Sequence, residues 1–223
     1  MSYIINKMPL QIEKNLLEKC LLTETATVGH KRHMGFVDRK IQNILNKQTT
    51  VAGTAVTLAI PGQDSTLLHH IIQFLRPNDI LCIDRLGDDK HACLGGGVAA
   101  AILASGCSAV IIDGPCTDIP EIKKYDLQVF CKGTSPITTR IYDIGGSFNI
   151  PVCLGGVVVN PGDVVIADFS GVLVMPKNEA EFDIDWALNK QKAEPESHEK
   201  LFSGEFIGDR SGASKKVINK SNL

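Results

Sequence analysis

The sequence predicts an α/β fold in which two β layers and one layer of helices pack as a single domain, with helical extensions at both ends. Three observations carry that prediction. At 223 residues the chain is long enough for one sizeable α/β domain and short for two. Strand-like and helix-like segments alternate through residues 51–113, which implies βα units and a largely parallel layer. After Lys124 the pattern changes to short β segments joined by Gly, Pro and Asn turns. The resulting division is an amino-terminal helix and loop over 1–50, a β/β/α core over 51–176, and a closing helix with a polar tail over 177–223.

The elements follow in order. Between Pro9 and Leu22 the residues Leu10, Ile12, Leu16, Leu17 and Leu21 keep helical spacing, so an amphipathic helix opens the chain. The polar, Gly-interrupted stretch TETATVGHKRHMGF over 23–36 reads as a loop. Val51 to Ile60 is β-rich and ends at Pro61-Gly62, a strand into a turn. Asp64 or Ser65 caps a helix that runs through Leu75 and stops at Arg76-Pro77-Asn78-Asp79. Ile80 to Asp84 is a short buried strand, Gly96 to Ser105 a helix, and Ala109 to Asp113 another strand. Five β segments come next, at 127–131, 150–154, 157–160, 164–168 and 171–175. Tight turns at Asn160-Pro161-Gly162-Asp163 and Asp168-Phe169-Ser170-Gly171 separate the last three. A helix from Glu179 to Lys192 carries the single tryptophan, Trp186, and the polar chain beyond Pro195 reads as loose or docked on a neighbouring subunit.

Composition narrows the function classes. Lys and Arg total 23 against 25 for Asp and Glu, a formal charge of -2. Without a basic stripe the chain is a poor nucleic-acid binder, and 5% aromatics argue against stacking platforms. No run approaches the roughly 20 apolar residues of a membrane helix, and the charged start MSYIINKMPLQIEKN does not read as a signal peptide. A soluble, cytoplasmic protein is expected. Its seven cysteines are spread singly with no CxxC pair, so they read as small buried hydrophobes; Cys116 alone sits in a motif of interest. His30 and His33 form a pair with no third ligand at a sensible spacing.

Two strand ends could carry chemistry, since ligands of open α/β sheets sit beyond the carboxyl ends of strands. The first is a charged loop containing Arg85, Lys90 and His91 that leads into Gly95-Gly96-Gly97 and a helix. Glycine lets backbone amides approach a ligand, and a helix amino terminus favours an anion, so Gly96, Gly97 and Val98 could hold a small carboxylate or phosphate. The second is Gly114-Pro115-Cys116-Thr117-Asp118, where Asp118 is either the N-cap of a short helix or a carboxylate for a hard divalent cation. Glu121 lies one helical turn further on.

The residues from Gly53 to Met175 resemble the RraA-like family, which includes class II pyruvate aldolases acting on 4-hydroxy-4-methyl-2-oxoglutarate and 4-carboxy-4-hydroxy-2-oxoadipate. The resemblance rests on ACLGGGVAAAILASGCSAVIIDGPCTD, VFCKGTSP and IPVCLGGVVVNPGDVVIADFSGVLVMP, in consistent order. It implies a swivelling β/β/α domain assembled as a homotrimer or homohexamer, with active sites at subunit interfaces. It implies a divalent-metal-dependent lyase, using Mg2+ or Mn2+, that cleaves 4-hydroxy-2-oxo diacids to pyruvate and decarboxylates oxaloacetate. The family pattern places an acid, twenty intervening residues, then Arg-Asp. Asp118 falls on the metal-binding aspartate, and Gly95, Gly96, Gly97 and Val98 fall where the pyruvyl group is held. Thr117 stands in the arginine slot and Gly96 in that of the acid. The expected catalytic pair is then Asp118 and Thr117, with Arg85 and His91 joining the substrate-binding set. Arg85 or Lys90 could restore the lost positive charge, and Glu196 or Glu199 could bring acid/base function across a trimer interface. The two departures also leave open a non-catalytic regulator that binds a ribonuclease or other protein, and an enzyme for a different small acid.

Overall fold

The computed structural model describes residues 2–46 and 48–221. From the amino terminus come β1 (Tyr3–Ile5), α1 (Lys14–Leu21), α2 (Thr25–Gly29) and β2 (Gln42–Asn43). The central run is β3 (Val51–Ala59), α3 (Thr66–Ile71), β4 (Asp79–Asp84), α4 (Gly96–Ala104), β5 (Ala109–Ile112), α5 (Ile119–Tyr125) and β6 (Gln128–Cys131). The β-rich part follows as β7 (Gly146–Phe148), β8 (Val152–Leu154), β9 (Val157–Val159), β10 (Val164–Asp168) and β11 (Gly171–Met175). Helices α6 (Lys177–Phe202), α7 (Ile207–Arg210) and α8 (Ala213–Ile218) close the chain.

Strand β3 is the hub. All nine of its residues are buried. Along one edge it pairs in parallel with β4, from Thr54↔Asp79 to Ala59↔Asp84. Along the other edge it pairs antiparallel with β10 at its start and β7 at its end. Strands β4, β5 and β6 continue the parallel ladder, each joined to the next by a helix, as parallel neighbours require. Gly53 permits the close approach of β3 to the turn before β4, because a Cβ there would lie 2.4 Å from the carbonyl oxygen of Asn78.

Alternation of side chains then builds the layers. Val56, Leu58, Leu81, Ile83, Val110, Ile112 and Val129 face Leu67, Leu68 and Ile71 of α3, Ala99 and Ile102 of α4, and Ile122 of α5. Their neighbours Ala55, Ala59, Ile80, Cys82, Ala109, Ile111 and Phe130 face Val152, Leu154, Val159, Val165 and Val174 of the β-rich part. This is the expected β/β/α arrangement. A third apolar cluster lies between α1, α2 and α6 and the strands β10 and β11, so the two extensions meet on one side. No helix among the described residues is long and apolar enough to cross a membrane.

Several elements differ from the sequence expectation, each for a local reason. The opening helix begins at Lys14 and not near Pro9, because the backbone amide of the buried Ile12 donates to Thr54 Oγ1 at 2.9 Å and holds that stretch on β3. Within the expected loop over 23–36 lies α2, pinned where the amide and hydroxyl of Thr25 donate to the carboxylate of Asp168 at 2.8 and 2.7 Å. Strands β1, β2 and β7 are two or three residues long and depend on partners far away in the chain, so no local pattern announces them. The closing helix continues through Pro195 to Phe202. Glu, Lys, Gln and Ala around the proline are strong helix formers, and Glu196 pairs with Lys200 across one turn. The tail beyond this helix holds the short helices α7 and α8 separated by turns, and residues 222 and 223 lie outside the described residues.

One buried carboxylate fixes the geometry of the loops beyond β3 and β6. Asp64, 1% exposed, accepts hydrogen bonds from Thr66 Oγ1 and the amides of Thr66, Tyr142 and Ile144, at 2.6–3.0 Å. Burial opposes its ionisation, but these donors outweigh burial and hold its pKa at about 2. Because the folded pKa lies below the unfolded one, this stabilisation is complete above about 3.8 and fades as pH falls toward about 2. Asp64→Asn would turn an amide donor toward backbone donors. It should lower the unfolding free energy by about 2 kcal/mol at pH 7 and flatten its acid dependence, as measured by urea titration at neutral and acid pH.

Candidate active site

The four parallel strands deliver their loops to one end of the sheet, and backbone hydrogen bonds stitch those loops together. The amide of Arg140 donates to Gln63 O at 2.8 Å, and that of Ser65 to Arg140 O at 2.9 Å. Ala92 N donates to Ile137 O, Thr117 N to Leu94 O, and Ser135 N to Cys116 O, at 2.7–3.0 Å. The stitched loops enclose a cleft of about 720 Å³. Its walls include Ser65, His69, Gly95, Gly96, Gly97, Val98, Thr117, Asp118 and Arg140. The position matches the rule for ligands in open α/β sheets.

The sharpest feature of the cleft is the junction of its second and third loops. Asp118 adopts a left-handed backbone conformation (φ 55°) at the start of α5, yet its side chain does not cap that helix. Its Oδ2 instead accepts the amide of Gly96 at 2.9 Å, the first residue of α4. The expected capping of its own helix is thus corrected: the Asp118 side chain caps the neighbouring helix. With the Gly96 amide taken, those of Gly97 and Val98 remain in the first turn of α4, without intrahelical acceptors. A Cβ on Gly97 would meet nothing within 4 Å, so this backbone is open to the cleft. A Cβ on Gly95 would lie 2.7 Å from Asp118 Oδ2 and 3.0 Å from Thr117 Cγ2. Gly95 is thus needed for space.

Among the described residues, Asp118 Oδ1 receives only a 3.4 Å contact from Thr117 Oγ1. That oxygen could serve a hard divalent cation held by one carboxylate with water completing its shell, an arrangement magnesium favours. Among the described residues no three His, Cys, Asp or Glu side chains converge as an all-protein metal cage. Gly96 explains part of this. A side chain there would head for Glu121, whose Cγ and Cβ lie 3.1 and 3.2 Å from the added Cβ.

Other expected site residues lie elsewhere. Arg85 is fully buried; its Nη2 donates to the carbonyl oxygens of Gly62 and His91, and its Nε and Nη1 have no partner among the described residues. Neither Arg85 nor His91 lines the cleft. His91 Nδ1 sits 2.7 Å from Asp88 Oδ2. Burial works against the charge on Asp88, but the amides of His91 and Lys90 and the imidazole together hold its carboxyl below the usual range. Glu196 and Glu199 are on the exposed end of α6, away from the cleft of their own chain. The Cys116 thiol touches Cys131 Sγ at 3.4 Å, and that contact and burial push it up, which keeps it protonated. His69, Thr138, Thr139 and Arg140 are cleft residues absent from the sequence expectation. The signal was available, since His69 follows β3 and the other three follow β6, both at carboxyl ends of parallel strands.

Comparisons with known proteins agree with this architecture. The RraA-like family model, described as Aldolase/RraA, matches residues 20–174. A Halalkalibacterium halodurans protein named "Putative 4-hydroxy-4-methyl-2-oxoglutarate aldolase" is 30% identical over 173 residues, covering 78% of this chain and 81% of the relative. An Arabidopsis thaliana protein of the same name, numbered 3, is 27% identical over 134 residues, covering 60% of this chain and 80% of its own. The crystal structure of Streptomyces coelicolor RraAS2, an unusual member of the RNase ES inhibitor RraA family, superposes with a TM-score of 0.75. It is 24% identical, covers 84% of this chain and 98% of its own, and so speaks to the fold. With its stitched strand ends and a matched segment that takes in both β layers and the cleft, the chain belongs to the RraA-like family.

Proposed function

We propose that the chain is a divalent-metal-dependent carbon–carbon lyase that cleaves 4-hydroxy-2-oxo diacids to pyruvate and decarboxylates oxaloacetate. The observation that carries the reading is the Asp118 carboxylate standing beside the open first turn of α4 in the cleft. Magnesium or manganese, when bound at Asp118, supplies a Lewis acid for charge developing on the keto oxygen. The amides of Gly97 and Val98 receive the substrate's 1-carboxylate at the positive end of the helix. Thr117 Oγ1 donates a hydrogen bond toward the keto oxygen, in place of the arginine of the resembling aldolases. His69 is the cleft's imidazole, suited to take the proton from the 4-hydroxyl. The 4-alkoxide collapses to a carbonyl that leaves as the second product. The C3–C4 pair becomes the C2–C3 double bond of an enolate with its charge on the keto oxygen, and C3 then takes up a proton to give pyruvate. Oxaloacetate, whose C4 is an ionised carboxylate, needs no base: its C3–C4 bond breaks to release carbon dioxide and leaves the same enolate. Val98, Ala101, Ile72 and Ile141 exclude water from the reacting atoms. Assembly as a homotrimer or homohexamer belongs to this reading, supported by the exposed Phe202, Phe206 and Ile207 on the carboxyl-terminal arm.

A second reading, a non-catalytic regulator that binds a ribonuclease, is favoured by Thr117 and Gly96 standing where the aldolase pattern has Arg and an acid. It expects the purified chain to slow ribonuclease E cleavage of RNA, with the inhibition unchanged in Asp118→Ala.

The enzyme reading makes two predictions. Pyruvate release from oxaloacetate should vanish on chelation and return with magnesium, while Asp118→Ala lowers kcat by about 100-fold. Activity unaffected by chelation and by the substitution would refute it. Gly95→Ala, whose Cβ displaces the Asp118 carboxylate, should also cut kcat by about tenfold or more while the chain stays folded, as followed by steady-state kinetics and circular dichroism.

A further inference from the structure

The charge balance of the cleft points to a residue outside the family motif. Among the described residues lining the cleft, Asp118 is the one carboxylate and Arg140 the one guanidinium. The Arg140 main chain is fixed by its bonds to Gln63 and Ser65. Its Nη1 is fixed as well, donating to Thr138 O at 3.1 Å, Thr138 Oγ1 at 2.5 Å and Thr139 O at 3.0 Å. By contrast, its Nε and Nη2 take no hydrogen bond or ion pair among the described residues, and the residue is exposed. One nitrogen of the planar fork is therefore anchored while its other donors are left for a ligand. Anchoring lowers the entropy lost on binding, and two parallel N–H groups match a carboxylate in a way that an ammonium cannot. Arg85 and Lys90 supply no charge here, since neither lines the cleft.

We propose that Arg140 is the specificity-determining residue of this cleft, binding the second carboxylate of a dianionic 2-oxo acid. The inference rests on the reading that the cleft receives a 2-oxo acid, and it adds which residue tells a diacid from a monoacid. A monoacid such as pyruvate is held at Gly97 and Val98 and leaves Arg140 unused. A diacid uses both.

The test compares wild type, Arg140→Gln and Arg140→Lys as full-length proteins with magnesium present. Oxaloacetate turnover gives KM and kcat, calorimetry gives pyruvate affinity, and thermal melts check folding. Arg140→Gln should raise KM for oxaloacetate by about tenfold or more, with kcat within about threefold and pyruvate affinity within about twofold. Arg140→Lys should lie between the two, since it keeps the charge and loses the fork. If Arg140→Gln leaves KM unchanged, or weakens pyruvate and oxaloacetate equally, the proposal is overturned while the lyase reading stands. Wild type that neither binds pyruvate nor turns over oxaloacetate overturns both.

Discussion

One hydrogen bond, from the Gly96 amide to Asp118 Oδ2 at 2.9 Å, sets the geometry of the cleft's carboxylate and of the helix end beside it. It joins the loop after β4 to the loop after β5 and occupies the first free donor of α4. It also sets the direction of the remaining lone pairs on Asp118. The bond is possible because Gly95 carries no Cβ and because Asp118 tolerates a left-handed backbone, which Asp and Asn do more readily than bulky residues. A carboxylate at a helix amino terminus is favoured by the partial positive charge there. The same contact therefore stabilises the loop junction and exposes a second oxygen of the same group.

The sheet makes that junction possible. Strand β3 is buried along its whole length and bonded along both edges, so β4, β5 and β6 are held in register with it. Their carboxyl ends arrive together, and the loop beyond β6 hydrogen-bonds to each of the loops beyond β3, β4 and β5. Asp64 does at one side of the rim what Asp118 does at the other, gathering donors from two loops onto one carboxylate. Rigid elements beneath and bonded loops above suit a site whose donors must be in place before the ligand arrives.

Much of this was legible in residue order. The βα alternation over 51–113 and the later β segments announced both layers, because strands buried on both faces read as short continuous apolar, β-rich runs bounded by turn residues. The glycine triplet and Asp118 were also readable, since a helix amino terminus and a carboxylate after a strand are local signals. Tertiary contacts hid the rest. Helix α2 depends on Asp168, more than a hundred residues later in the chain. The burial of Arg85 depends on a carbonyl in the loop after β3, which no charge count reveals. No local pattern marks Arg140; only the stitching of its loop to Gln63 and Ser65 brings it into the cleft.

The glycines thus have two uses in the same few residues. Gly95 makes room for the Asp118 carboxylate, and Gly97 leaves the first turn of α4 uncovered. The most direct test is a crystal structure of the protein soaked with magnesium and oxalate, a stable mimic of the pyruvate enolate. A metal bound to Asp118 Oδ1 and an oxalate carboxylate on the amides of Gly97 and Val98 are the expected result. Oxalate and metal bound elsewhere, with these groups untouched at saturating concentrations, would contradict it.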